Sequence, residues 1–430
     1  MQTATTTMGA HKRALIAGSI GNFIEWYEFA VYGFLATVIA QNFFQLEGES
    51  PLTGLILTYA SFAIAFFFRP LGAIIFGRIG DRIGRKPTLI IVLIMMTLAT
   101  TAIGLVPVYA SIGIAAPLIL TGLRILQGLF AGGEYGGAVS LMTEFAPRGK
   151  RGLYGAWQSF TVALGLLAGA GIVALISAVL TPEELHAWGW RLPFFLAIPM
   201  GGVALWLRVK MEETPGFLRQ QEQQHPQPSA SLSQTLKVIM IGIGRLMVWS
   251  AAGYTYLVIM PAYLQSSLHT GFNQALLIAV ISNIGFAITI LPAGMLSDRW
   301  GRRNVMVIAA VLLLILALPL LKILQAESST LLVKGVVVLI AGGLVGVLAG
   351  PGPAMLAEMF PTRIRYTGLG LAYSLSNAVF SGCAGLMITG LIKQTGNLDI
   401  PAYYVMATAL ISVLALMTLN KDDHLRSLEE

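Results

Sequence analysis

Long apolar runs alternate along the chain with short clusters of Gly, Pro, Ser and charged residues. A helix that crosses a bilayer needs about 20 mostly apolar residues. Cutting the sequence at its polar punctuation predicts twelve such helices, near 14–40, 52–77, 87–109, 112–143, 152–180, 191–208, 237–264, 273–296, 304–323, 332–357, 366–392 and 401–419. The first follows Lys12-Arg13, as a signal peptide would. Its run holds Glu25 and Glu28 and outlasts a secretory apolar region, so it is expected to stay as the first helix of an all-α integral membrane protein.

Composition narrows the function. Of 430 residues, 56% are hydrophobic and 11% charged, and the mean hydropathy is +0.76, too apolar for ordinary soluble domains. One cysteine, Cys383, excludes an intramolecular disulfide framework or a Cys-based metal site. The five histidines (His11, His186, His225, His269, His424) fall in loops or termini, so neither an enzyme's catalytic cluster nor a metal site is expected. No GxxxxGK[ST] stretch exists to cradle ATP phosphates. No cofactor is expected, which leaves an ion gradient as the energy source.

The net charge of +7 would suggest nucleic acid only if the basic residues formed one surface. Instead 20 of the 27 Lys and Arg fall in one alternating set of segments: the N-terminus, 78–86, 148–151, 208–237, 299–303, 363–365 and the C-terminus. The opposite set holds Arg191, Lys322, Lys334 and Lys393. Positive loops stay cytoplasmic, so both termini are expected there and nucleic acid is discarded as a partner.

The chain repeats itself. Gly77-Arg78-Ile79-Gly80-Asp81-Arg82-Ile83-Gly84-Arg85-Lys86 follows the second span, and Gly294-Met295-Leu296-Ser297-Asp298-Arg299-Trp300-Gly301-Arg302-Arg303 follows the eighth. A second pair, Glu144 to Arg148 and Glu358 to Arg363, recurs at nearly the same offset. The domains read as 1–208, a six-helix half; 209–236, a polar linker; 237–420, the second half; and 421–430, a tail. Parallel repeats of this kind hold substrate between the halves near the bilayer midplane. In the repeated loops, Gly77, Gly84 and Gly301 permit tight turning. Asp81 or Asp298 can face the end of a neighbouring helix while Arg82, Arg85, Arg299 and Arg302 hold an adjacent acid, which makes these loops candidate gates.

Those two loops resemble the signature of the major facilitator superfamily. Gly21-Asn22-Phe23-Ile24-Glu25-Trp26-Tyr27-Glu28-Phe29, Phe68-Arg69-Pro70-Leu71-Gly72, Arg124-Ile125-Leu126-Gln127-Gly128, Gly132-Gly133-Glu134-Tyr135-Gly136 and Trp188 to Phe194 are similar to its metabolite:proton symporters, with Glu28 where that family usually has Asp. The resemblance implies a major facilitator fold and secondary active transport, with carriers of α-ketoglutarate, citrate, shikimate and proline/betaine among the relatives. It also assigns Arg124 to proton coupling, and Gln158, Tyr373 and Asn377 to cavity-lining spans. The Gly-Pro antiporter signature is missing from 156–180, which favours symport or uniport.

Six ionisable residues fall inside spans: Glu25, Glu28, Glu134, Arg69, Arg124 and Arg245. Each costs roughly 2.5–3.5 kcal/mol to insert, so each marks function or a specific pair. Three acids balance three bases. Glu25 and Glu28, three residues apart, share a helix face, and a proton can be shared there. Arg124 and Glu134 are about 15 Å apart along one helix, so each needs a partner elsewhere. Arg69 precedes Pro70, a bend candidate. Arg245, upstream of Trp249, Tyr254 and Tyr256, is the best anion fork.

The expected function is proton-coupled uptake of a small mono-, di- or tricarboxylate by alternating access. Glu25, Glu28, Arg124 and Glu134 would handle protons, and Arg245, Arg124, Arg69, Tyr254, Gln158, Tyr373 and Asn377 would hold the acid. The alternatives are symport of a zwitterionic osmolyte and proton-driven export of a toxic compound. The other partners are membrane lipids, and the setting is a monomer in a bacterial inner membrane.

Overall fold

The computed structural model describes residues 2–83, 85–144, 146–210, 232–360, 365–426 and 428. Among these, every regular element is helical. Nine helices are long and apolar enough to cross a bilayer. A tenth span is a pair bent by 61°, Ser19–Phe34 and Ala36–Phe44, and the shorter apolar helices Ala115–Ala131 and Ile400–Leu416 complete a set of twelve.

The spans are α1 (Gln2–Phe34), α2 (Pro51–Ile83), α3 (Arg85–Leu105), α4 (Ala115–Ala131), α5 (Arg151–Val179), α6 (Ala197–Val209), α7 (Leu232–Tyr254), α8 (Phe272–Trp300), α9 (Arg302–Gln325), α10 (Leu331–Ala349), α11 (Arg365–Ser376) and α12 (Ile400–Leu416). Several continue past a break. A π-turn, Thr255–Ile259, carries α7 into Met260–Ser267, and another, Asn377–Gly382, leads α11 into Ala384–Thr395. α10 stops before Gly350-Pro351 and resumes as Gly352–Met359, as the missing proline N–H requires. By contrast, α2 runs unbroken through Pro70, which is tolerated where neighbouring helices satisfy the freed carbonyl. Of the linker, 211–231 lies outside the described residues.

Packing repeats between the halves. On α4, Gly128 and Gly132 lie against the backbone carbonyls of Ala65 and Arg69 on α2, and Gly72 of α2 lies against that of Leu129. In the second half, Gly342 and Gly346 of α10 meet the carbonyls of Ser282 and Phe286 on α8, and Gly285 of α8 meets that of Leu339. Small residues let backbones approach where lipid supplies no hydrophobic drive between helices. The same pair of spans is zipped in both halves.

The halves touch at both ends. At the near end, which carries the α2–α3 and α8–α9 turns, Asp298 accepts from the backbone N–H groups of Gly152 (2.8 Å) and Leu153 (3.1 Å), capping α5 from the other half. Arg302 donates to Asp298 (2.7 Å) and to Glu358 (3.0 Å), and Arg151 donates to Glu358 (3.0 Å). Gly301 turns the chain here at φ +90°, where a side chain would be strained and would also press on the Lys421 carbonyl. At the far end, Lys393 donates to Thr53, and Thr37 to Gln265 at 3.3 Å.

Two expected outcomes follow from these contacts. Gly128→Val forces a branched side chain into the Ala65 backbone and should destabilise the protein by about 1–3 kcal/mol, whereas Gly122→Val, which faces open space, should not; melting temperatures in detergent check both. Asp298→Asn weakens two charge-assisted bonds and should speed amide exchange in the first turn of α5 by about tenfold or more. Exchange at the middle of α5 should stay unchanged; equal acceleration along the whole helix would mean global unfolding instead.

Candidate functional site

A cavity of about 40 Å³ lies between the halves, room for only a few water-sized groups. Its wall combines Trp26 of α1, Ser159 and Val162 of α5, Trp249, Ser250 and Tyr254 of α7, Phe286 of α8, Val345 of α10 and Tyr373, Asn377 and Ser381 of the α11 span. No charged side chain lines it among the described residues. Five of the lining side chains are aromatic.

The polar side of the cavity is built by the α11 π-turn, which displaces Asn377 and Ser381 from regular helical register, a distortion common at functional sites. The hydroxyls of Ser250 and Ser381 both lie 3.1 Å from Asn377 Oδ1. That fixes the amide; Asn377 Nδ2 faces the Tyr373 hydroxyl without a well-aligned bond, and the Tyr254 hydroxyl has no hydrogen-bond partner among the described residues. The α7 π-turn is held in place from α8, where Ser282 and Asn283 donate to the carbonyls of Tyr256 and Leu257 at 3.0 Å.

Behind Trp26, inside the first half, lies a cluster of buried charge. Glu25 and Arg69 form an ion pair. The Arg69 guanidinium also lies 4.7 Å from the Phe29 ring, 4.8 Å from Phe66 and 5.3 Å from Trp26. Arg124 is fully buried and donates to Gln127 Oε1 at 2.6 Å, and Gln127 donates to Thr100 at 2.8 Å. Its charge rests against rings, 4.2 Å from Tyr32, 4.7 Å from Phe29 and 5.2 Å from Phe62. Such cation–π contacts are worth ~2 kcal/mol or more when desolvated. Glu28, 1% exposed, faces the Thr100 hydroxyl and has no well-aligned donor or ion pair among the described residues.

The structure thus brings Glu25, Glu28, Arg69 and Arg124 together, and Tyr254, Tyr373 and Asn377 around the cavity. Gln158 sits beside the cavity-lining Ser159, buried, with neither amide atom partnered among the described residues. Glu134 finds its partner on another helix, 2.8 Å from Arg208 at the end of α6.

Arg208 was missed by sequence reasoning because it closes a span like any anchoring arginine. The only signal was Gly21, which leaves the space that Arg208 and Glu134 fill.

Arg245, the anion fork expected from sequence, is not brought to the cavity. It donates to Thr418 Oγ1 (3.0 Å) and the Ala415 carbonyl (3.4 Å), at the near end of α12. α7 starts earlier than the hydropathy pattern implied, and the long side chain turns toward the end of the bundle.

Of the repeated loops, Asp298 and Arg302 sit in the contact between halves and Arg299 is exposed. In the first copy, Gly77, Asp81 and Arg82 are in the last turns of α2 and Arg85 opens α3. Gly84 lies outside the described residues.

Known proteins carry the same pattern. Residues 14–238 match the family model described as "Sugar (and other) transporter", and residues 238–429 match that of the "Major Facilitator Superfamily". A glycine betaine/proline/ectoine/pipecolic acid transporter of Dickeya dadantii is 37% identical, covering 94% of this chain and 82% of its own. The proline/betaine transporter of Escherichia coli is 35% identical (96% and 84% covered), and a citrate-proton symporter of Klebsiella pneumoniae 34% (95% and 92%). The solved D-xylose-proton symporter superposes with a TM-score of 0.72 at 20% identity over 93% of this chain and 96% of its own, which shows the shared fold. The chain is a multi-pass membrane protein, a transporter rather than an enzyme, and belongs to the major facilitator superfamily.

Proposed function

We propose that the protein is a secondary active transporter that takes up a zwitterionic osmolyte of the proline/betaine class together with protons, by alternating access. The observation that carries this reading is the cavity wall, aromatic and free of charged side chains. A quaternary or secondary ammonium is bound well by ring faces, which Trp26, Trp249, Tyr254 and Tyr373 supply. The carboxylate of the same molecule needs neutral donors, and Asn377 Nδ2 and the Tyr254 hydroxyl are available, with Gln158 nearby. The relatives named for proline and betaine support the same class.

Coupling is assigned to Glu25, Glu28, Arg124 and Glu134. A proton on Glu25 weakens its attraction to Arg69, whose guanidinium lies against Trp26, and Trp26 also lines the cavity. Protonation and occupancy thus act on one indole. Because a zwitterion carries no net charge, each proton entering with it brings +1 inward. The membrane potential then adds about 2.3 kcal/mol per charge per 100 mV to the drive.

The near end, with its positive loops, is assigned to the cytoplasm, along with both termini. The setting is the bacterial inner membrane, the working unit a monomer, and the halves the rigid units 1–208 and 237–420. Opening of the contact around Asp298, Arg302 and Glu358 is the step that releases substrate inward.

A small organic acid is the second reading, favoured by the Klebsiella citrate-proton symporter among the relatives and by Arg69 lying just behind Trp26. It is weaker because Arg245 is elsewhere and Arg69 and Arg124 are enclosed by rings.

Proteoliposomes with an inward proton gradient should accumulate labelled proline or glycine betaine, and an uncoupler should abolish the accumulation. Citrate that accumulates where betaine neither enters nor competes would give the function to the organic-acid reading. Glu28→Gln should end accumulation against a gradient and leave the melting temperature unchanged, since no ion pair is lost. Glu25→Gln should do the same to accumulation but also cost up to about 3–5 kcal/mol of stability by stranding Arg69. Full accumulation by Glu28→Gln would remove that residue from coupling.

A further inference from the structure

Arg208 has no place in the scheme so far, although it is as deeply buried as Arg124. It is 1% exposed, lies 2.8 Å from Glu134 and donates to the Leu89 carbonyl at 2.7 Å, so it ties α6 to α3 and to the turn that follows α4. A Cβ at Gly21 would overlap both the Arg208 guanidinium and Glu134 Oε2. The pair therefore lies directly against the backbone of α1, one turn from Glu25, or about 6 Å along the axis. Both charges act electrostatically on Glu25, and Glu134 acts on Glu28 as well.

The three acids thus descend α1 toward the near end in the order Glu28, Glu25, Glu134. Asn22 and Ser19 lie along α1 between Glu25 and the near end, and Asn22 is bonded to the Gln158 carbonyl of α5. Glu134 Oε1 faces Arg208 at 2.8 Å, and Oε2, which lies against Gly21, accepts no well-aligned hydrogen bond among the described residues. The rings of Trp26, Phe29, Phe62, Phe66 and Tyr254, in mutual contact at 5.0–6.4 Å, separate this series from the cavity.

We propose that the coupling proton leaves toward the near end through the first half, by way of Glu134, and that Arg208 is the positioning residue that holds the Glu134 carboxylate in place to receive it. This rests on the proton-symport reading above. The step moves one proton: it passes from the Glu25 carboxyl to the Glu134 carboxylate, and Glu25, again anionic, re-forms its pair with Arg69. Arg208 loses its anionic partner and stays held by Leu89. It regains that partner when Glu134 gives the proton to water at the near end. Proton and osmolyte follow separate routes, one inside a half and one between the halves.

The test compares two activities of proteoliposomes loaded with proline or glycine betaine: counterflow, which exchanges substrate without a proton gradient, and gradient-driven accumulation. The double variant Glu134→Gln with Arg208→Gln removes both charges, so no buried charge is stranded. It should fold and keep the wild-type counterflow rate while accumulation falls by about tenfold or more. Arg208→Lys alone, which keeps a positive charge beside Glu134, should retain most of the accumulation.

Wild-type accumulation by the double variant would overturn the proposal, as would parallel loss of counterflow and accumulation, which marks a purely structural pair. Should the double variant not fold, Glu134→Asp replaces it. The acid withdrawn by one methylene should slow accumulation but not counterflow, and unchanged accumulation overturns the proposal. Failure of the symport reading shows separately, as accumulation by the wild type that an uncoupler does not touch.

Discussion

A charge inside an apolar bundle must be compensated within reach of its own side chain, because no solvent is there to do it. That constraint organises the first half. α1 carries Glu25 and Glu28 and omits a side chain at Gly21, and the surrounding helices are placed so that Arg69, Arg124 and Arg208 arrive from α2, α4 and α6. Three acids and three arginines balance. The compensation takes three forms: an ion pair for Glu25, an ion pair plus a backbone carbonyl for Arg208, and ring faces with one amide for Arg124. Glu28 alone of the three acids has no ion pair among the described residues, so a proton on it breaks no pair.

The repeats share a packing scheme but not a chemistry. Glycines zip α4 to α2 and α10 to α8 at corresponding places, so the scaffolds match. A π-turn also occurs in the first half, at Ala40–Phe44, but the two that line the cavity, at Thr255–Ile259 and Asn377–Gly382, belong to the second half, with a hydroxyl–amide network around Asn377. One half stores charge and the other presents neutral polar groups. The two meet where Trp26 and Tyr254 pack at 6.1 Å, so a change on either side reaches the same aromatic contact. At the near end, the Asp298 carboxylate caps α5 from the opposite half with two backbone bonds that any separation there would break together.

The sequence by itself determined the class of the molecule. Twelve apolar runs, the alternating Lys and Arg, the repeated glycine-aspartate loops and the embedded acids are local features, and a bilayer turns them into spans because backbone polar groups have no other partner there. Glu25, Glu28, Arg69 and Arg124 were legible for the same reason: a charge in mid-span has no cheap local explanation. Depth counted along a helix is a poor guide near its ends, where a long side chain can turn either way. Arg245 turns outward to Thr418, and Arg208, directly before a polar linker, turns inward to Glu134 because Gly21 makes room. Only the tertiary structure decides between those directions, and only it decides which of many aromatic and polar residues converge on one cavity. Both questions concern contacts between helices far apart in the chain, set by packing that no periodicity records.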